Sequence, residues 1–401
     1  MPRLKTRDRL NAFLDLPQTP VANAASGPLS GLTLGVKDIF DVSGYVSGWG
    51  NPDKFAEGTV ATTTAPAVQK LLDAGARFIG KTQTEELAFS MIGQNVHFPH
   101  PVNVRAPDRI TGGSSSGSAA AVAGGLVDIG TGSDTGGSVR APASFCGLIG
   151  LRTTHGAISL DGTMPLAPSF DTFGWFARDA DTYEKVGDVL LGDAISPALV
   201  GKPRLLGISE LDELVSGPRE AKAYGRMVRA VGEALGPVKA VKPPPFPIDD
   251  LYWTTRRLQA HEAWAAHGEW ISVKGRRIGQ AIYDRFAFGR TVTLDDVASD
   301  TKRRDAFRAA LADLLGADGV LVMPTVPCAA PRSASTPDEL AAFRERAIRQ
   351  LMWSGLSGFP QISLPLGTVE DAPFGISLLG PAGSDRALIR LGRRILEAGG
   401  R

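Results

Sequence analysis

GGSSSGSAAAVAGGLVDIGTGSDTGGSVRAPASFCGLIG, residues 112–150, is the stretch on which the reading of this chain turns. Eleven glycines and seven serines make a poor recipe for an ordinary packed element, because glycine costs backbone entropy and marks turns or close backbone approach. Two serine-rich turns, Gly112–Ser118 and Gly132–Ser138, flank a predicted small-residue helix at Ser118–Ala123 and a predicted apolar strand at Leu126–Ile129. The second turn, through Asp134, Thr135, Gly136, Gly137 and Ser138, would present consecutive backbone N–H groups at one point. Such a nest suits negative charge. The apolar pair inside the stretch and the run Phe145-Cys146-Gly147-Leu148-Ile149 after it argue against a flexible linker.

Outward from this stretch, bulk properties narrow the field. A length of 401 residues favours two or three domains on size alone. The apolar fraction of 43% supplies a sizeable core, and a net charge of +1 gives no electrostatic case for nucleic acid or an anionic membrane. The close histidine pair His97 and His100 sits in a proline-broken loop without a neighbouring cysteine or carboxylate, so no metal site is expected. Cys146 and Cys328 lie in apolar runs and read as free thiols. The charged N-terminus lacks the apolar core of a signal peptide, and no run is long enough to span a bilayer. The expectation is a soluble, cytoplasmic protein.

Upstream, residues 4–16 carry Leu10, Phe13, Leu14 and Leu16 at helical spacing, with Pro17 as a stop. A compact strand over Gly31–Phe40 holds Lys37 among Val36, Ile39 and Phe40. An edge-strand lysine is usually solvated, but these neighbours favour burial, which lowers a lysine's pKa and can make it a base. A helix at Thr62–Ala74, a strand at Ala76–Ile79 and a loop over 93–111 lead into the central stretch. Downstream, a strand over Leu151–Ser159 and turns over 160–178 precede a helix at Asp181–Leu191. Residues 250–316 are mostly helical, Gly319–Pro327 is a buried strand ending in a loop, and Leu340–Met352 is a helix. Two strands, Gln361–Leu366 and Gly375–Leu379, and a helix at Ser384–Glu397 close the chain.

Several motif matches fail on context. Gly113–Gly117 fits the G-x-S-x-G elbow, yet a polar loop precedes it where a strand is required. Gly75–Thr82 fits the P-loop pattern, yet a helix precedes it and its middle reads as a strand. Ser299–Lys302 fits S-x-x-K without a K-T-G partner. What remains is Lys37 and one serine from each glycine-rich turn. A serine hydroxyl must lose its proton as it attacks; a neutral lysine can accept it, and a second serine can relay it. The N–H groups of Thr135, Gly136 and Gly137 would then form an oxyanion hole beside Ser138. Chemistry alone does not choose among Ser114, Ser115, Ser116 and Ser118.

The run from Gly112 through Arg152 resembles the glycine- and serine-rich signature of the amidase signature family, and Gly35-Val36-Lys37-Asp38 is similar to that family's lysine strand. Further similarity runs through Gly75–Thr82, Ser169–Asp171, Met323–Thr325 and Gly358–Pro365. The resemblance implies a single α/β domain over residues 1–401, with a large mixed β-sheet covered by helices on both faces. Its signature core would span about 31–180, a variable helical pocket region about 180–320, and closing strands and helix 320–401. It implies Lys37 as catalytic lysine, Ser138 as acyl-enzyme nucleophile, and Ser114 as the intermediate serine, held by a cis peptide bond. Asp134 and Arg140 match positions that brace the signature loop. No metal or organic cofactor is implied, and a homodimer is compatible with the family.

Within the family, the runs 38–53 and 169–179 and His155-Gly156-Ala157 most resemble plant-type indole-3-acetamide hydrolases and their bacterial relatives. The resemblance implies an aryl-acetamide substrate releasing ammonia, with Trp49, Phe145 and Trp175 as candidate aromatic contacts. Two departures, Pro101-Val102-Asn103-Val104 and Arg152-Thr153-Thr154, lie near the site entrance or just beyond the signature and bear on substrate preference. Competing readings are the glutaminase subunit of a tRNA-dependent amidotransferase, a hydrolase of another amide, and a non-catalytic scaffold on the same fold.

Overall fold

A computed structural model describes residues 3–4, 8–192 and 198–399. The strands in chain order are β1 (Arg3–Leu4), β2 (Leu14–Asp15), β3 (Thr33–Lys37), β4 (Arg77–Thr82), β5 (Ile129–Ser133) and β6 (Ile149–Arg152). They continue as β7 (Phe173–Ala177), β8 (Arg204–Gly207), β9 (Lys239–Ala240), β10 (Gly319–Pro324), β11 (Gln361–Val369) and β12 (Ala372–Leu379). The helices are α1 (Pro52–Glu57), α2 (Pro66–Asp73), α3 (Ser116–Ala123), α4 (Arg140–Cys146), α5 (Ala180–Leu191) and α6 (Ser209–Asp212). After them come α7 (Gly217–Leu235), α8 (Ile248–Ile271), α9 (Gln280–Thr291), α10 (Leu294–Leu315), α11 (Pro337–Ser357) and α12 (Asp385–Ala398).

Strands β1 and β2 form a small antiparallel ribbon, and the other ten build one sheet in the order β4-β3-β5-β7-β6-β11-β12-β10-β8-β9. The sheet is mixed. Strand β3 runs parallel to both β4 and β5, whereas β7 is antiparallel to β5 and β6. Every residue of β5, β6, β7, β10 and β12 is buried. Because successive side chains point to opposite faces, continuous burial means that both faces of the sheet are covered.

The central stretch departs from its predicted elements in an informative way. Helix α3 begins at Ser116, but the strand is not Leu126–Ile129; it is Ile129–Ser133, built from Ile, Gly, Thr, Gly and Ser. These residues are poor strand formers by propensity. Close packing explains them. A Cβ on Gly130 would come within 2.9–3.2 Å of Val122 and Ser118 of α3, and one on Gly117 would lie 2.4–2.7 Å from backbone atoms of Ala12 and Gln83. Small residues let the helix lie against its strand and against the chain's first segment.

Other boundaries move for local reasons. The helix expected over 4–16 does not form within the described part of that segment, residues 5–7 lying outside it. Instead the Asp8 carboxylate accepts the backbone N–H groups of Leu10, Ala12 and Phe13 at 2.5–2.9 Å, an aspartate-centred turn in place of a helix. Helix α2 starts at Pro66 rather than Thr62, since proline suits the first helical turn. Strand β4 extends to Thr82, past the predicted Ile79, and so passes straight through the P-loop match. Strand β6 ends at Arg152 instead of Ser159, and the turn-rich 160–178 segment contains β7. Helix α11 outruns Leu340–Met352 at both ends, started by Pro337 and a capping box between Thr336 and Glu339.

Candidate active site

Parallel strands β3 and β5 end side by side, which brings Lys37 and Ser133, their last residues, together. The carboxyl ends of such strands are where α/β sheets present ligand sites. The backbone N–H of Lys37 donates to the Thr131 hydroxyl at 2.9 Å, fixing the strand end. Its amine is fully buried and donates to the hydroxyls of Ser114 and Ser133, both at 2.8 Å. Burial is the leading influence on this amine and lowers its pKa from the usual lysine value to about 7, against the opposing pull of Asp134, Asp171 and Glu85.

Ser114 stands in the turn before α3, and the Gly113–Ser114 peptide bond is cis. Its carbonyl accepts from the backbone N–H of Glu85 and the hydroxyl of Thr84, each at 3.0 Å. Structure thus separates the four candidate serines. Ser114 meets the lysine; the hydroxyls of Ser115 and Ser116 are buried without partners, and Ser118 pairs with Thr82 at 2.6 Å.

Ser138 lies just before α4 and lines a recess of about 30 Å³ with Thr135, Gly136, Met91, Leu166, Gln259, Arg344 and Ile348. That is room for one or two water-sized groups. The loop that carries it is wrapped around the Asp134 carboxylate. Asp134 accepts the N–H groups of Gly137 (2.8 Å) and Val139 (3.1 Å), and the guanidinium of Arg140 at 2.8 and 3.0 Å. Arg152 adds a third cationic contact at 3.2 Å and also reaches the carbonyls of Asp134, Thr135 and Phe170. The two guanidiniums hold the Asp134 carboxyl far below the usual carboxylate range despite its complete burial. Thr135 is pinned separately: its hydroxyl donates to Asp171 at 2.5 Å, and its carbonyl accepts from Gln259 of α8 at 2.9 Å.

This wrapping changes the expected oxyanion hole. The Gly137 N–H is spent on Asp134 and cannot serve it. The N–H groups of Thr135, Gly136 and Ser138 have no protein acceptor among the described residues, and these residues line the recess. Asp134 and Arg140 are where a brace needs them. Arg152, at the end of the signature, is fully buried under the loop and adds a third brace to it.

The expected aromatic contacts do not line the recess. Trp175 is fully buried, stacked on Tyr183 at 4.9 Å, with its indole N–H on the Tyr183 carbonyl. Phe145 is fully buried in α4 against Phe343. Trp49 packs edge-on to His267 at 5.9 Å, with the Lys54 ammonium over its ring. Residues that pattern reading missed include Ser133, which stood unremarked inside the second serine-rich turn, and Gln259, whose approach from 124 residues away leaves no local trace. Lys81, the P-loop match's lysine, is a buried structural group bonded to the Phe40 carbonyl, Ser47 and Asp38.

No cluster of three or more His, Cys, Asp or Glu side chains that could hold a metal occurs among the described residues, and none of their helices is long and apolar enough to cross a membrane. A family model described as Amidase matches residues 14–198. Amidase 1 of Arabidopsis thaliana is 40% identical over 97% of this chain and 98% of its own length. The chloroplastic outer envelope protein 64 of the same plant is 34% identical over 96% of this chain and 70% of its own. Among solved structures, a crystal structure of amidase superposes with a TM-score of 0.83 at 31% identity, covering 93% of this chain and 85% of that one.

The brace can be tested by Asp134→Ala. It leaves two buried guanidiniums uncompensated and is expected to lower unfolding free energy by about 3–5 kcal/mol. Denaturant titration checks this; a loss under about 1 kcal/mol would show that the ion cluster does not hold the loop.

Proposed function

Since this chain belongs to the amidase signature family and is a hydrolase of amide bonds, we propose that it cleaves a small carboxylic amide to acid and ammonia through Ser138, Ser114 and Lys37. The observation that carries the reading is the fully buried Lys37 amine, 2.8 Å from the Ser114 hydroxyl, beside a loop that offers Ser138 and unpaired N–H groups to one recess.

Neutral Lys37 has two N–H donors and one lone pair. In the neutral amine the Ser114 contact reverses direction: one N–H stays on Ser133, and the lone pair accepts the Ser114 proton as Ser114 takes the proton of Ser138. Ser138 Oγ then attacks the amide carbonyl, and the tetrahedral oxyanion is held by the N–H groups of Thr135, Gly136 and Ser138. Collapse of this intermediate expels ammonia with the relayed proton, and water hydrolyses the ester by the same relay. Asp134 contributes indirectly, by shaping the loop so that these donors converge. The retention of all three relay residues favours catalysis over a scaffold role. An aryl-acetamide is the favoured substrate type, on the resemblance of the runs 38–53 and 169–179 to indole-3-acetamide hydrolases.

Ammonia release from indole-3-acetamide, phenylacetamide, benzamide, malonamide, glutamine and a long-chain fatty amide tests the reading. The aryl-acetamides should be turned over fastest. Ser138→Ala should lose roughly 10⁴-fold or more in kcat, and Lys37→Ala about 10²–10⁴-fold. Activity in Ser138→Ala within tenfold of the parent would refute the mechanism, and turnover of glutamine alone would move the protein to the amidotransferase class. The lowered Lys37 pKa also sets a pH dependence. The base is active only when neutral, so kcat/KM for an uncharged amide should rise with pH through about 7 and fall about tenfold per unit below it. A profile flat from pH 5 to 9 would contradict a lysine base.

A further inference from the structure

Beyond the nucleophile's recess opens a larger cavity of about 610 Å³, and Ser90 and Arg344 line both spaces. Its walls include apolar side chains of Ile92, Ile282 and Leu340. They also include three half-buried guanidiniums, Arg256 from α8, Arg285 from α9 and Arg344 from α11. Three helices therefore converge one arginine each on a single space.

These arginines are not matched to carboxylates. Arg256 donates to the Tyr252 hydroxyl at 2.7 Å and Arg285 to the Phe89 carbonyl at 2.5 Å, both neutral acceptors. The Nε of Arg344 is buried and has no partner. Four carboxyl groups also line the cavity; Glu85 and Asp284 attract Arg285 and Glu345 attracts Arg344, but none forms an ion pair with the three arginines among the described residues. Glu86 takes Asn51, His97 and the Gly279 N–H, while Asp284 takes Gln280. Glu345 is exposed at the rim. Glu85 is buried, which pushes its carboxyl up to about 7, so that near neutrality it carries only part of a charge. Burial and the facing Arg285 and Arg256 push the Arg344 guanidinium well below its ordinary pKa range. Clustered like charges in a partly desolvated space are unfavourable until an anion completes them. The planar guanidinium fork matches a carboxylate in two parallel hydrogen bonds.

We propose that the substrate carries a carboxylate at the end of its acyl group remote from the amide, received by Arg344, Arg285 and Arg256, with its apolar middle against Ile92, Ile282 and Leu340. This assignment rests on Ser138 being the nucleophile of an amidase and narrows its substrate class to anionic amides.

Two matched pairs test it: 4-carboxyphenylacetamide against 4-methylphenylacetamide, and adipic acid monoamide against hexanamide, each followed by ammonia release at low ionic strength. The acid member should have at least tenfold higher kcat/KM in one pair or both. Arg344→Gln and Arg256→Gln should bring that ratio towards 1, whereas Arg256→Lys, which keeps the charge, should retain part of it and so separate charge recognition from folding. Neutral amides turned over as well as their acid partners, with turnover still dependent on Ser138, would overturn the carboxylate assignment and leave the amidase reading intact. An acid preference that survives both glutamine variants would overturn the role of the arginines. Absence of Ser138-dependent ammonia from every compound would overturn both.

Discussion

A lysine amine buried away from solvent and bonded to serine hydroxyls in place of a carboxylate is the constraint on which the rest of this site depends. At the end of β3 the Lys37 amine is fully buried, and both its hydrogen bonds go to serine hydroxyls. An ammonium there would be desolvated at a cost that two neutral hydroxyls do not offset, so the amine is neutral at a pH where surface lysines are charged. The fold supplies the isolation. Strand β3 lies between β4 and β5, both of them parallel to it, and small residues of α3 pack directly against β5. The glycines and serines of the central stretch are therefore packing residues, whatever chemistry they also carry.

A second buried charge works in the opposite sense. Asp134 remains a carboxylate because Arg140 and Arg152 face it and backbone N–H groups point at it. Paired and hydrogen-bonded in this way, a buried ion shapes the chain around it. Because it takes the Gly137 N–H, the loop turns so that the N–H groups of Thr135, Gly136 and Ser138 are left for a ligand. One residue spent on structure frees three for chemistry.

How much of this was legible before the structure depended on whether the signal was local. Lys37 and Ser138 stand in compact, unusual runs and the strand–helix rhythm points to α/β organisation, whereas the choice of Ser114 and the large mixed sheet rest on the family resemblance. Strand β5 starts three residues and ends four residues later than expected because its Gly-Thr-Gly-Ser content follows close packing against α3, which propensity does not register. The helix expected over 4–16 lost to the side-chain turn of Asp8. Trp175 and Phe145 were plausible as substrate contacts because aromatic residues near a signature look functional; Trp175 fills the interior beneath α5 and Phe145 the interior beneath α11. The arginines of the outer cavity come from three helices between residues 248 and 357, and no spacing along the chain announces their convergence.

The small recess beside Ser138 thus adjoins a broader chamber whose walls include apolar side chains and three guanidiniums without an ion-pair partner. In the proposed reading the first sets the reaction and the second the substrate. The central claim is that acyl transfer passes through Ser138. Acid quenching during turnover of a slow amide, followed by proteolysis and mass spectrometry, would locate the covalent intermediate. The account predicts an acyl mass increment on the peptide and side chain of Ser138, absent from Lys37→Ala. An increment on Ser114, Ser133 or any other residue, or rapid turnover with no trapped ester under any quench, would contradict it.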